Sequence, residues 1–549
     1  MKDFTKEIWA YALKNALDFR KTDAGKILPK LFQHGLDKKD IKEIMPKLQE
    51  IVSSVNKMKD LQRKEAFVQY AELIPEHEER EGLPELEGAV EGKVVTRLAP
   101  EPSKYNHIGH ALVFMIQFLY AKKYGGKCVL RFDDTNPEKS TKEYYDSMIE
   151  DLTWLGIKWN RQYLASDGMK SYYSHAEKLI KSGHAFVCSC PQEKMKDLRE
   201  KMKECECRSI KPADNMKVWK EMLAKKYGDG EKTLRLKGDM KSNNGVMRDP
   251  VIFRITYAPH FAQGERYCVW PMYDFQNPVA DALDGVTNVI RSNEFTLRAE
   301  LHEYILKLLG LKMPIVREIG RYQITGAETQ GRVIREMIES GKVRGWDDPR
   351  LVTVKALRRR GFVPEMFREL AQTVGLSKAG GHIDPAVLAA TNRKVIDSVA
   401  ERFYFVENPV KLDIQNPPNI REVGIPVHPD RKELRKMKVS DDIFISKKDY
   451  EELKGKEARL LHLYNIKIPA KGKKADFVSI ENKDIPKIQW VSFGTEIKIL
   501  MPEGKWTSGI ADENIGDLKV GEIIQFERFG FVRLDEIKEG HYKFWFAHR

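Results

Sequence analysis

The stretch Val94–Ile116, VVTRLAPEPSKYNHIGHALVFMI, limits the chain more than any other. Val94 and Val95 are β-branched and apolar and begin a short buried strand. Pro100 and Pro102 stop regular structure, and beyond them Leu112, Ile116 and Leu119 recur at helical spacing. A strand that enters a helix through a tight loop aims unpaired backbone amides at whatever lies above the sheet, which is an anion site. His107 and His110 share one face at the helix entry, and Gly109 leaves room between them. For a lone pair of this spacing, two histidines that merely cap a helix are the commoner arrangement. The functional reading is a pocket for a nucleoside triphosphate, with both rings donating to phosphate oxygens.

Two further segments carry chemistry. In GGKCVLRFDDTNPE, Cys128 to Phe132 read as a strand, with Asp133, Asp134 and Thr135 at its carboxyl end, the edge where open α/β sheets place their sites. An acidic pair there binds an amine or orients other side chains. Cys188, Cys190, Cys205 and Cys207 form two C-x-C pairs with fourteen residues between them. Folded back on each other, four thiolates complete a tetrahedral zinc site of structural type, since no open position or catalytic histidine accompanies them. Free or redox-active thiols are the alternative.

The wording HIGH after Arg-Leu-Ala-Pro-Glu-Pro resembles the class I aminoacyl-tRNA synthetases, glutamyl/glutaminyl branch, and the resemblance extends from about residue 91 to the C-terminus. It implies an α/β fold: a Rossmann-like catalytic domain in two halves, residues 91–187 and 266–320, around an acceptor-end insertion carrying the zinc module at 188–265. A helical extension at 1–90, a connecting helical domain at 321–400 and anticodon-binding β-barrels at 401–549 complete it. The barrels mark the archaeal-type line of the family. Short alternating runs such as GEIIQFERFGFVRLDE fit them. The cofactors implied are ATP with Mg²⁺, and structural Zn²⁺. By resemblance, Ala99, Pro100, His107, Gly109 and His110 meet the nucleotide, with His107 and His110 stabilising its phosphates during catalysis. Arg97, Glu101, Asp133, Tyr273, Asn277 and Arg291 surround the amino acid, Asp133 taking its α-amino group and Arg131 bracing the pocket. Arg291 stands where glutaminyl enzymes tend to carry a small uncharged residue. A guanidinium there grips a side-chain carboxylate in two-pronged fashion and opposes a glutamine amide. The implied partners are L-glutamate and tRNA-Glu, with charging of tRNA-Gln left open.

Two positions depart from the family. Asn288 replaces a usual histidine. The lysine-rich ATP loop expected upstream of GWDDPR reads Ala327, Glu328, Thr329, Gln330, Gly331, Arg332, with Gly331 where the central lysine belongs. Arg332 is the nearest substitute, with Thr329 and Gln330 as weaker donors. The altered loop keeps a rival in play, a catalytically impaired tRNA-binding paralogue, beside the nearer rival of a glutaminyl enzyme.

The remainder bounds rather than decides. The 549 residues exceed one core, and a formal charge of +13 suits a polyanion partner. No apolar run spans a bilayer, the N-terminus lacks the pattern of a signal peptide, and six cysteines are too few for a disulfide scaffold, so a cytoplasmic protein is expected. In the extension, Ile8, Ala12 and Ala16 share one helical face, and Ile41, Ile44 and Leu48 another. Glycines near 25 and 35 divide the pieces, and an acidic linker runs from Pro75 to Pro84. The extension also has the build to dock a protein partner or clamp tRNA. Arg358, Arg359 and Arg360 are expected on tRNA phosphate, with structural pairing as the alternative, and Trp490, Arg528 and Arg533 are candidate anticodon readers.

Overall fold

The computed structural model describes residues 3–19, 21–37, 40–73, 82–376 and 381–549. It divides into two compact units, Met1–Glu81 and Gly82–Arg549. Within the described residues of the first unit are helices α1 (Thr5–Phe19), α2 (Ala24–Leu31), α3 (Ile41–Lys57) and α4 (Asp60–Val68). Ile8, Ala12 and Ala16 close on Ile44, Leu48, Ile51 and Val55 to make its core. Gly25 lies inside α2 rather than between helices, whereas Gly35 ends the following turn at φ 94°. The expected linker from Pro75 falls mostly outside the described residues.

The second unit is built on parallel strands. Strands β1 (Val95–Leu98), β2 (Lys127–Phe132) and β3 (Arg161–Leu164) pair in that order, in parallel. Helix α5 (Ile108–Lys123) crosses from β1 to β2, and α6 (Lys142–Trp154) from β2 to β3. After α7 (Met169–Lys181) an antiparallel sheet departs: β4 (Ala185–Cys188), β5 (Thr233–Leu236), β6 (Val251–Ile255) and β7 (Val269–Pro271), with α8 (Gln192–Glu200) and α9 (Pro212–Leu223) between β4 and β5. The chain returns through α10 (Tyr273–Leu283) to β8 (Asn288–Ser292), α11 (Thr296–Leu309) and β9 (Ile315–Ile319), where β8 and β9 pair in parallel. The Thr287 amide donates to Val95 O at 3.0 Å, which sets β8 beside the free edge of β1. Parallel strands buried on both faces need near-continuous apolar runs, and Val129, Leu130, Phe132, Val289 and Ile290 supply them.

Strand β10 (Tyr322–Ile324) is followed by α12 (Gly331–Glu339), α13 (Val354–Arg360) and α14 (Pro364–Val374). Strand β11 (Gly381–Ile383), parallel to β10, precedes α15 (Pro385–Ile396). These helices share the core of the first half: Val354, Leu357, Met366, Phe367 and Leu370 pack with Ile108, Leu112 and Met115.

Beyond residue 401 two sheets close on themselves. In the seven-stranded sheet Arg402–Phe403 forms one edge and Phe405–Glu407 the other, so the same stretch of chain, with Tyr404 between, joins both edges. In the six-stranded sheet the Phe444–Val491 bridge joins the first strand to the chain just after the last. Closure of this kind removes exposed strand edges. Trp490, expected among the anticodon readers, is instead wholly buried in the second barrel's core, its indole N–H donating to Leu461 O at 2.9 Å. Trp490 follows the short strand Lys487–Ile488, and packing with Tyr404, Ile488 and Val491 puts it inside.

Candidate active site and family

The helix entry is held from below. His107 is the N-cap of α5, in extended backbone, and its Nδ1 accepts the Gly109 amide at 3.1 Å. The Ile108 amide donates to Val352 O and the Val354 amide to Asn106 O, so the segment after GWDDPR is the brace of HIGH. That brace is stiffened by the inaccessible Asp348, which receives Arg350 through two nitrogens at 2.7 Å each and the Arg344 amide at 2.9 Å.

The two imidazoles stack at 3.8 Å between centroids. Both are neutral: burial, with the charges of Lys104 and Arg321 nearby, pushes His107 down to about 3 and His110 well below its usual value. Because Nδ1 of His107 is an acceptor, its proton sits on Nε2, and that ring has one N–H to offer a phosphate. His110 Nδ1 has no partner among the described residues. The close approach needs glycine at 109: an added Cβ would lie 2.8 Å from Tyr322 O and 2.9 Å from His107 Cε1. Tyr322 opens β10, so the chain leading into the Ala327–Arg332 loop lies directly against the histidine pair.

Beside this entry lies a cluster of buried charge at the carboxyl ends of β1 and β2. The Asp133 amide donates to Pro100 O at 2.9 Å, which locks the two loops together. Arg131 is inaccessible and donates to Asp133 Oδ1 at 2.8 Å, Asp281 at 2.8 Å and Asp284 at 3.3 Å, while Arg97 reaches Asp281 at 3.3 Å. Asp133 also accepts from Gln276 at 3.0 Å and Asn277 at 2.8 Å. Three of its roughly four lone-pair sites are thereby used, which leaves one for an incoming cation. Tyr273 caps the cluster. Burial pushes its hydroxyl up to about 12, and it feels the charges of Arg97, Asp133 and Arg291 together.

Arg291 lies near the end of β8, is 5% exposed and faces Glu318 on β9 at 3.3 Å, with His302 Nδ1 at 3.1 Å from its Nη1. Its Nε has no partner among the described residues and its contact with Phe295 O is long, 3.5 Å. A buried guanidinium with five donors and so few short bonds has capacity for a further carboxylate. Since arginine can only donate, His302 accepts through Nδ1 and its Nε2–H donates to Asp274 at 3.3 Å.

The four cysteine sulfurs lie within 4.8 Å of one another, Cys188–Cys205 at 4.0 Å and Cys190–Cys207 at 3.8 Å. Sulfurs ~2.3 Å from a tetrahedral zinc are about 3.8 Å apart, so the donor set fits that ion. Cys188 ends β4, Cys190 follows it, and Cys205 and Cys207 sit on the turn after α8.

The expected residues thus fall into three places. Tyr273 feels the charges of Arg97, Asp133 and Arg291, and Asn277 bonds Asp133; His107, Gly109 and His110 stand at the helix entry, and Pro100 O joins the loop before it to Asp133. Glu101 is exposed, and Thr329 donates its amide to the neighbouring Glu328 carboxylate at 2.8 Å. Arg332 points outward, 82% exposed, with Glu336 at 3.6 Å. Asn288 is buried and donates to Glu87 O at 3.0 Å, a structural bond. Of the triple arginine, Arg359 makes a two-pronged pair with Asp535 at 2.8 and 2.7 Å, and Arg360 donates to Ala547 O at 2.7 Å, so both hold α13 to the first barrel. Arg358 pairs with Glu150 at 2.7 Å. Sequence reading missed Asp281, His302, Glu318 and Lys104. Only Asp281 left a trace, an acid inside the apolar run PVADAL.

Comparison with known proteins agrees with this geometry. A family profile described as "tRNA synthetases class I (E and Q), catalytic domain" matches residues 93–398, and two profiles for the anti-codon binding domain of the same family match 400–485 and 481–535. The chain is 39% identical to the glutamate–tRNA ligase of Pyrococcus furiosus, with 98% of both chains covered. It is 40% identical to that of Nitrosopumilus maritimus over 90% of this chain and 91% of the relative. Against the Methanocaldococcus jannaschii ligase the identity is 36%, over 99% and 100%. The catalytic-domain profile spans more than half of the chain and the relatives cover it almost end to end, and the chain belongs to the class I tRNA synthetases of the glutamate and glutamine branch.

Proposed function

We propose that the chain ligates L-glutamate to tRNA-Glu in the cytoplasm, through a glutamyl-adenylate, releasing AMP and pyrophosphate. Membership of the family implies ATP with Mg²⁺, and among the described residues no helix is long and apolar enough to cross a membrane. The reading rests on Arg291, a buried cation with unused donors, in a pocket whose other cation and acid, Arg97 and Asp133, complement an amino acid's two ends. Asp133 takes the α-ammonium on its remaining lone pair, steadied by Arg131, Gln276 and Asn277. Arg97, Tyr273 and Glu101 set the glutamate backbone at the mouth of the helix entry, and Arg291, oriented by His302, takes the side-chain carboxylate.

ATP lies along Ala99, Pro100 and Gly109, with the His107 and His110 rings on its phosphates and Thr329 and Arg332 closing from the loop. The α-carboxylate oxygen bonds to the α-phosphorus as the bridge to the β-phosphorus breaks, and pyrophosphate leaves with the electron pair. A terminal ribose hydroxyl of tRNA then attacks the acyl carbon and gives up its proton, and AMP departs. Donors already fixed in place stabilise the charge that develops in each step. Mg²⁺, when bound with ATP, neutralises phosphate charge. Cys188, Cys190, Cys205 and Cys207 would hold a structural zinc, which would tie β4 to the turn after α8.

Aminoacylation with glutamate and glutamine, each on tRNA-Glu and tRNA-Gln in one preparation, tests the reading. Glutamate on tRNA-Glu is the expected product. A product with glutamine alone would identify the other branch, and no product with retained tRNA binding would identify a paralogue that only binds.

A further inference from the structure

Gly331 leaves the ATP loop without a cation at its centre, yet the place is not empty. The stem of Lys104, from the loop between β1 and α5, lies on it: a Cβ added to Gly331 would stand 3.1 Å from Lys104 Cδ and 3.2 Å from Lys104 Cβ. The charge of Lys104 reaches both imidazoles, where it helps keep His107 and His110 neutral. The two loops are tied at a second point, since Arg335 on α12 donates to Ser103 O at 3.4 Å. Within the ATP loop, the Glu328 carboxylate occupies the amides of Thr329 and Gln330, at 2.8 and 2.6 Å, and adds negative charge where phosphate must come. Arg332 is turned to solvent and Glu336.

We infer that Lys104 is a catalytic residue of adenylate formation: reaching across from the first nucleotide loop, its ammonium binds the ATP phosphates and supplies the positive charge that Gly331 leaves out of the second loop. The inference rests on the ligase reading above. Its chemistry is that of a point cation against phosphate oxygens that gain charge as the α-phosphorus is attacked and pyrophosphate leaves. The packing explains the pairing of residues as well. A side chain at 331 would crowd the Lys104 stem, which would have to give by a few tenths of an ångström to admit even a Cβ there. Burial lowers the ammonium's pKa, Glu101 and Glu294 oppose that, and Arg321 and Arg335 add to it. Incoming phosphate would add counter-charge to a group whose burial outweighs the pull of Glu101 and Glu294.

The test is tRNA-dependent ATP–pyrophosphate exchange with glutamate, with single-turnover adenylate formation, on full-length protein. Lys104→Met keeps the stem against Gly331 and removes the charge. Its rate constant should fall about a hundredfold, the usual consequence of losing one transition-state donor, with tRNA affinity and thermal transition unchanged. Lys104→Arg should retain most of the rate, and the double exchange of Lys104→Gly with Gly331→Lys should recover most of it. A Lys104→Met rate within about threefold of the parent protein overturns the inference while leaving the ligase reading intact. An equal loss in Lys104→Met and Lys104→Arg also overturns it, because packing rather than charge would then be at work. Absence of exchange in the parent protein defeats the ligase reading itself.

Discussion

At residue scale, Gly109 and His107 carry the sharpest consequences. Gly109→Ala drives a methyl to 2.8 Å from the Tyr322 carbonyl, a backbone atom that cannot swing aside. Overpacking of this kind costs about 1–3 kcal/mol, and denaturant titration should show it, together with a raised KM for ATP. His107 titrates at about 3 in the folded chain against 6.5 in an ordinary peptide. The unfolded chain therefore binds the proton first. Stability is whole above pH 6.5 and is lost as the pH falls from there toward 3. His107→Asn keeps a cap acceptor and removes that titration, so its unfolding free energy should fall less steeply between pH 7 and 5, measured by denaturant melts at each pH. HIGH was legible through its resemblance to a family signature after Arg-Leu-Ala-Pro-Glu-Pro, since a lone pair of histidines at this spacing more often only caps a helix. The surroundings of the helix entry were not legible, because Tyr322 beside Gly109, Val352 on the Ile108 amide and the charge of Lys104 reach it only through tertiary packing.

At the scale of elements, the buried charge at the carboxyl ends of β1 and β2 comes from three of them: Arg97 on β1, Arg131 on β2 and Asp281 on α10. Asp281→Asn leaves two buried guanidiniums short of their shared acid. The expected loss is about 3–5 kcal/mol, read by chemical denaturation, and aminoacylation should fall with it because Arg131 also positions Asp133. The strand end offered Asp133, and the resemblance offered Arg97 and Arg131. Asp281 showed only as an acid inside the apolar run PVADAL, and its two arginine partners appear once α10 is seen against β1 and β2. The C-x-C module is the converse case, legible from spacing alone, since four thiols at 3.8–4.0 Å within each close pair follow from two turns that face each other. A strong chelator should release about one zinc per chain, expose four reactive thiols and lower the first thermal transition.

At the scale of the molecule, the second unit joins catalysis to the barrels through α13. Arg359 pairs with Asp535 and lies 4.2 Å from the centroid of the Trp545 ring, while Arg360 spends its donors on Phe546 O and Ala547 O. A cluster of three arginines reads as a phosphate surface in sequence, but the barrel's last two strands take two of them. Arg359→Ala should cost about 1–3 kcal/mol and separate the barrels' unfolding from that of the catalytic body in calorimetry. Strands were readable from alternation and turn residues, and the two barrels came from the resemblance. Their inward and outward faces were not readable, because a one-residue change of register reverses them.

The whole account turns on a buried guanidinium that selects an acid over an amide. Arg291→Met keeps the volume and removes the charge, and the direct measurement is the ratio of kcat/KM for glutamate to that for glutamine on the same tRNA. The account predicts a fall of about two orders of magnitude or more in that ratio, with the chain still folded and tRNA still bound. A ratio unchanged from the parent protein would contradict it.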